Sequence, residues 1–541
     1  MNHLSTSDYI VFLIYFIVVS GYGYWVYRSK KSKNVDTKDY FLAQGSLTWW
    51  AIGASIIASN ISSEHFIAMS GSGFAMGLAI SSYEWMAAAT LIIVAVFFLP
   101  IYIKNKIYTM PQFLSTRYND TVSGVMAIIW LLIYIFVNLT SIFFLGALAI
   151  ETITGISFNY CIIALAIFSI FITLGGMKVI GYTDVIQVFV LIMGGLITCY
   201  KALDLVSVKL GAKTVLGALP ILRQQAPDHF RMIFHPGDKY FNDLPGIAVL
   251  AGGLWINNLN YWGCNQYIVQ RALGADLKTG RSGLIFAAFL KLLIPVIVVI
   301  PGIAAYVMYQ HGYFHAEMLD NGVPKPDHAY PTLMNLLPSG VKGLAFAALT
   351  AAIVASLAGK SNSIATIFTL DIFKKYIDKN ASERKLVHVG RIAVIVASIV
   401  AMVIAPTLRT FDQVYQFIQE YVGFFSPGIF TIFLLGFFWK RTTSRAALIT
   451  AIATIPLSVI FKYLPQLTHG YIAPIPFLHR MTWVFAIVML LTIVVTLLDP
   501  TSKHNKQALE VDAKMYKVTS GFIVASVAIC GILIALYTVF W

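Results

Sequence analysis

The 541-residue chain is 58% hydrophobic and only 11% charged, where a soluble domain carries about a quarter charged residues; this excludes an ordinary water-soluble globule. A formal net charge of +14 does not mark a nucleic-acid binder, because the Lys and Arg residues stand in short clusters between apolar stretches, as membrane-orientation signals do. The four cysteines, Cys161, Cys199, Cys264 and Cys530, fall within or beside apolar stretches without metal-ligand or CxxC spacing. That pattern excludes a disulfide framework and reads them as small buried hydrophobes.

Fourteen apolar segments follow one another, near 9–27, 47–71, 79–103, 121–150, 158–175, 182–203, 246–271, 281–310, 341–372, 388–407, 411–437, 444–463, 480–498 and 518–540. A helix needs roughly 20 residues to cross a hydrocarbon core of about 30 Å. The expected fold class is therefore an all-α integral membrane protein with about 14 transmembrane helices. The first segment is followed by its basic residues, Arg28, Lys30, Lys31 and Lys33, whereas a secretory signal carries them in front. It reads as a retained span with the N-terminus outside. Every second loop is then basic. Lys104, Lys106 and Arg117 follow the third span, Lys178 the fifth, Lys278 and Arg281 the seventh, Lys374 and Lys375 the ninth, Lys440 and Arg441 the eleventh, and Lys503 and Lys506 the thirteenth. The two longest loops, near 204–245 and 311–340, fall outside, and an even span count puts the C-terminus outside too.

Two spans differ from the rest. The second contains Ala58-Ser59-Asn60-Ile61-Ser62-Ser63-Glu64-His65, and the seventh contains Gly252-Gly253 followed by Asn257-Asn258-Leu259-Asn260-Tyr261-Trp262-Gly263. Neither run favours uninterrupted helix in lipid. Irregular backbone at membrane depth is tolerated only where protein or a water-filled cavity covers it. The two spans lie five apart, in corresponding places of two five-span halves, the arrangement of an inverted-repeat secondary transporter with a midplane site. Charged and amide residues inside other spans point the same way: Glu84 in the third, Lys291 in the eighth, Gln419 and Glu420 in the eleventh. Such residues are costly in lipid and face a bundle interior. With Tyr83, Tyr261 and Tyr415 beside them, they suit a hydroxyl-rich ligand.

On the stretches SNISSEHFIAMSGSGFAMGLAISSYEWM, YIFVNLTS, YTDVIQVF, LPGIAVLAGGLWINNLNYWGCNQYIVQR, FAAFLKLLIP and VYQFIQEYVGFFSPGI, the chain resembles the sodium:solute symporter family over nearly its whole length. The resemblance implies a LeuT-type five-plus-five inverted repeat with one extra N-terminal and three extra C-terminal helices. The expected units are 1–43 (first helix and basic loop), 44–210 (first repeat), 211–437 (outer loop and second repeat) and 438–541 (peripheral helices). It also implies roles. Asn60, Glu84, Asn258, Lys291 and Gln419 would bind sugar hydroxyls, and His65 occupies a sugar-site position. Tyr261 would stack on the sugar as inner gate, and Met69, Tyr83 and Tyr415 would form the outer gate. The carbonyls of Ala58, Ile61 and Ala352, with the Ser356 hydroxyl, would coordinate sodium, and Asp184 would stand on the ion's path.

The chain also departs from the family. Galactose-carrying members have glutamine at His65, serine at Ala87 and phenylalanine at Tyr415. At Ala355 the family has a second serine that ligates sodium, and Lys360 replaces an apolar residue one helical turn after Ser356. Lys360 either substitutes for or tunes the bound cation, or else snorkels to the interface or pairs with Asp184. The expected function is sodium-coupled symport of a neutral hexose of the galactose or glucose type, by alternating access, in the plasma (inner) membrane. A sodium-independent or proton-coupled sugar carrier is the alternative. The expected partners are the sugar, sodium and the bilayer, with no organic cofactor, no nucleic acid and no obligate protein partner. No HExxH, Walker loop or GxSxG supports an enzyme.

Overall fold

The computed structural model describes residues 4–29, 48–107, 109–173, 177–273, 275–320, 322–411, 413–505 and 507–541. Lys30, Lys31 and Lys33 of the first basic loop lie outside the described residues. Helix occurs at every expected span, from Thr6–Ser29 to Ser520–Val539. Among the described residues, nine helices are long and apolar enough to cross a membrane, or ten if Val414–Gly423 and Ser426–Phe438, bent by 47°, are one span. These lengths and compositions are those of a multi-pass membrane protein. The expected fourteen are not reached by that measure, because several spans are interrupted or share one long helical run such as Glu64–Lys104. A departure from all-α is a two-stranded antiparallel hairpin, Leu319–Asp320 with Val323–Pro324, in the loop before helix Val341–Thr366.

Helix Leu277–Gln310 is the central post. It packs on Trp49–Asn60, on Ser70–Met76 and on Ser82–Ile93. Glycines permit that approach: a Cβ on Gly53 would lie 2.7 Å from the Gly283 carbonyl oxygen, and one on Gly302 would lie 2.1 Å from that of Ser70. Small residues at crossings are how helices without a hydrophobic driving force gain close van der Waals packing. The post therefore touches both halves of the second span, and its Lys291 reaches Asn60 at the end of the first half.

The basic loops form one end of the bundle. Buried Arg117 donates to the carbonyls of Gly436 (2.8 Å), Trp439 (3.0 Å) and Thr442 (3.1 Å). Arg281 donates to those of Ala95 (3.0 Å), Met515 (2.8 Å) and Lys517 (2.7 Å), and Lys375 pairs with Asp120 at 2.6 Å. At the other end, the Asp8 carboxylate accepts from the amides of Gly340 (2.7 Å) and Gly343 (2.9 Å). The Phe540 carbonyl accepts from the Met232 amide at 2.7 Å. Both ends of the chain thus share a face with the two long loops. Of the cysteines, Cys530 departs from expectation: it is exposed on the last helix, while the other three are buried.

Candidate functional site

The first break lies where the sequence predicts it. Helix Trp49–Asn60 ends at Ile61 in extended conformation, with the Ile61 amide bonded to the Ile57 carbonyl. Helix resumes as a π-helical turn over Glu64–Met69. Ser62 explains the interruption locally: its hydroxyl accepts from the Glu64 amide at 3.2 Å, a side-chain bond that competes with the helical ladder. The last four carbonyls of a helix, here including that of Ala58, lack an intrahelical partner.

The seventh span differs from expectation. The run Asn257–Gly263 is not opened; it belongs to a continuous helix, Gly253–Gly263. The breaks flank it, at Gly252 (φ −133°, ψ −132°) and at Cys264–Asn265. The asparagines find partners without unwinding the backbone. Asn257 Nδ2 donates to Gln419 Oε1 (2.7 Å), Asn260 Nδ2 to Ser426 Oγ (3.0 Å), and Asn258 Nδ2 to the Leu254 carbonyl (3.2 Å).

Between these elements lies a cavity in the membrane-embedded part of the bundle, lined by residues of both broken spans and of the third, fourth, ninth and eleventh. A chain of donors and acceptors runs along it. Lys291 Nζ, wholly buried, donates to Glu84 Oε2 at 2.5 Å and to Asn60 Oδ1. Asn60 Nδ2 donates to the Tyr261 hydroxyl at 2.9 Å. His65 Nε2 is 3.3 Å from Glu84 Oε1. Lys291 Nζ sits 4.9 Å from the centre of the Trp262 ring, whose Nε1 donates to Asn258 Oδ1 at 3.2 Å. Tyr83 and Tyr415 meet edge to face at 5.3 Å.

Of the predicted sugar and gate residues, Asn60, His65, Tyr83, Glu84, Asn258, Tyr261, Tyr415 and Gln419 all line this cavity. Lys291 reaches it through its partners. Met69 is fully buried and is not among the lining residues. The predicted ion ligands Ala58, Ile61, Ala352 and Ser356 are buried. The Ser356 hydroxyl is buried with no hydrogen-bond partner, which leaves its oxygen lone pairs available. A small hard cation with oxygen ligands fits this set.

Lys360 corrects one expectation. It does not snorkel: it is buried, and its Nζ lies 3.7 Å from Glu64 Oε2. Glu64 Oε1 also accepts from Ser141 Oγ at 2.8 Å. The Asp184 side chain lies outside the described residues. Sequence reading missed Glu64 as partner of Lys360, and missed Asn257, Asn260 and Ser426. Glu64 and both asparagines stood inside the quoted polar runs, where their charge and polarity were the available signal; Ser426 carried none.

The fold and cavity are those of a multi-pass membrane carrier. Residues 40–454 match the family described as Sodium:solute symporter family, and the chain belongs to it; the family is one of transporters rather than enzymes. The chain is 46% identical over 546 residues to the sodium/glucose cotransporter of Vibrio parahaemolyticus, covering 99% of each. It is 33% identical over 467 residues to the sodium/myo-inositol cotransporter 2 of Mus musculus, covering 82% of this chain and 68% of that one. Among solved structures, a Na+-coupled sialic acid symporter in a substrate-bound outward-open state has the same fold, with a TM-score of 0.75 at 23% identity over 92% of this chain and 98% of that chain.

Proposed function

We propose that this chain is a secondary active transporter that couples sodium entry to uptake of a neutral hexose of the galactose or glucose type by alternating access. The observation that carries the reading is the continuous run Glu84–Lys291–Asn60–Tyr261 along the cavity. It offers a hydroxyl-rich solute a carboxylate, an ammonium, amides and an aromatic ring. Two carboxylates, Glu84 and Glu64, are matched by two ammonium groups, Lys291 and Lys360. That balance favours an uncharged solute, since a net charge brought into a dry site must be compensated. The relation to the Vibrio sodium/glucose cotransporter supports the hexose.

In this reading Asn60, His65, Glu84, Asn258, Lys291 and Gln419 bind the sugar. Tyr83 and Tyr415 close one side of it and Tyr261 the other. Sodium is held by the carbonyls of Ala58, Ile61 and Ala352 and by the unpaired Ser356 hydroxyl. Because these ligands come from the first broken span and from helix Val341–Thr366, the ion joins the two elements. Its departure frees them to separate and open the sugar site to the other side. The five-plus-five repeat over 44–210 and 211–437, and insertion in a plasma membrane with both ends outside, belong to the same reading. The family gives no support to the sodium-independent or proton-coupled alternative.

The test is uptake of labelled galactose and glucose into liposomes holding the purified protein. Saturable accumulation under an inward sodium gradient, abolished in Glu84→Gln, supports the reading. Equilibration without accumulation, indifferent to sodium, contradicts it.

A further inference from the structure

The Glu64–Lys360 pair is bound up with the ion site by the chain itself. Glu64 stands three residues after Ile61, at the point where helix resumes beyond the break. Lys360 stands four residues after Ser356 on helix Val341–Thr366, a rise of about 6 Å, and a residue four further on lies over the same helix face. The pair therefore spans the same two elements as the proposed sodium ligands, about one turn away from them. Both side chains are buried, so the charges act through protein rather than bulk water. Glu64 is fixed by Ser141 Oγ at 2.8 Å, with Ser62 Oγ at 3.4 Å from its other oxygen. At Ala355, beside Ser356, the chain offers no hydroxyl.

We propose that Glu64 and Lys360 form a charge-matched strap between the broken second span and helix Val341–Thr366 that sets the affinity for sodium. The Lys360 ammonium repels the ion, the Glu64 carboxylate attracts it, and together they hold the affinity at an intermediate value. This rests on the sodium-coupled reading above. The strap also ties the two elements when sodium is absent, so that the ion does not carry the whole of their cohesion.

The signs of the expected changes separate this from a merely structural pair. A unit charge about 10 Å away through protein changes ion affinity on the order of ten-fold. Sodium binding is measured directly, with radioactive sodium, on the purified full chain in lipid nanodiscs. Lys360→Met leaves Glu64 unopposed and should tighten sodium binding about ten-fold. Glu64→Gln removes the carboxylate that faces Lys360 and should weaken it by about the same factor. Glu64→Gln/Lys360→Met removes both charges and should return within about three-fold of the native value. Shifts of the two single variants in the same direction, or no shift in either, overturn the proposal. If neither single variant yields folded protein, the double variant decides: an affinity more than about three-fold from native overturns the proposal. Galactose binding to the native chain with no sodium binding at all removes the sodium-coupled reading and the strap's role with it, while leaving the sugar site intact.

Discussion

Asn60 and Tyr261, 201 residues apart in the chain, share a hydrogen bond of 2.9 Å in which the Asn60 amide donates to the Tyr261 hydroxyl. One stands at the end of helix Trp49–Asn60, the other on helix Gly253–Gly263, so the bond joins the two interrupted spans. Tyr261→Phe keeps the ring and removes this bond, worth about 0.5–1.5 kcal/mol net. Sugar affinity should change by no more than about ten-fold, while efflux from preloaded liposomes should speed up. Tyr261→Ala should lower affinity further, by loss of the ring face. Equal efflux in Tyr261→Phe and native protein would argue that the bond does not hold the gate.

Glu84 and Lys291 form the other anchor of the cavity, at 2.5 Å with Lys291 wholly buried. Removing one partner of a buried ion pair strands the other charge, at a cost of about 3–5 kcal/mol. Glu84→Gln and Lys291→Met should each lower thermal stability and abolish uptake. The double variant should regain much of the stability and none of the transport. Recovery of uptake in the double variant would show that the pair is structural scaffolding, without direct contact to the sugar.

His65 touches Glu84 through Nε2 at 3.3 Å, and its Nδ1 is buried with no partner. An unsatisfied buried nitrogen is costly, and a sugar hydroxyl would satisfy it. His65→Gln should shift the galactose-to-glucose uptake ratio by several-fold, on the scale of one hydrogen bond of about 1 kcal/mol. Competition between the two labelled sugars measures the ratio, and an unchanged ratio would exclude His65 from the sugar contacts.

The loop before helix Val341–Thr366 supplies a pH prediction. Asp327 is buried against helix Ser70–Met76, where a Cβ on Gly71 would lie 2.5 Å from its Oδ1. Burial pushes its carboxyl up to about 8, only partly offset by a bond from the Val414 amide and by Lys325. With the folded value above the unfolded one, the folded chain retains a proton that the unfolded chain releases. The contribution is undiminished below the unfolded value, near pH 4. It falls as pH rises from there toward 8 and stays low beyond it. Protease protection of this loop should therefore decline from pH 5 to pH 8, and Asp327→Asn should flatten that decline. A native profile that rises with pH would contradict the assignment.

Much of this arrangement was legible in the sequence, for reasons that particular residues make plain. Lys291 and Glu84 were visible because a charge inside an apolar span has few tolerable surroundings. The break at Ile61–Ser63 was visible because two serines and an asparagine interrupt an apolar run. The sequence misled at Asn257–Asn260, where amide-rich composition suggested unwinding. Partners on the eleventh span, Gln419 and Ser426, satisfy those side chains and leave the helix whole, and a partner 162 or 166 residues away leaves no local trace. Lys360 was conspicuous by its charge, but its direction depends on Glu64, 296 positions earlier in the numbering. The same holds for Met69, whose apolar character fits a gate or a core equally well.

Coupling of the two solutes is observable in reverse. Proteoliposomes with equal sodium inside and out are given galactose on the outside only, and entry of radioactive sodium is followed. Linkage between two solutes on one carrier is reciprocal. Symport drives a transient rise of internal sodium above the external level, which should grow with the sugar gradient and be absent in Ser356→Ala. Sugar entry with no net movement of sodium would contradict it.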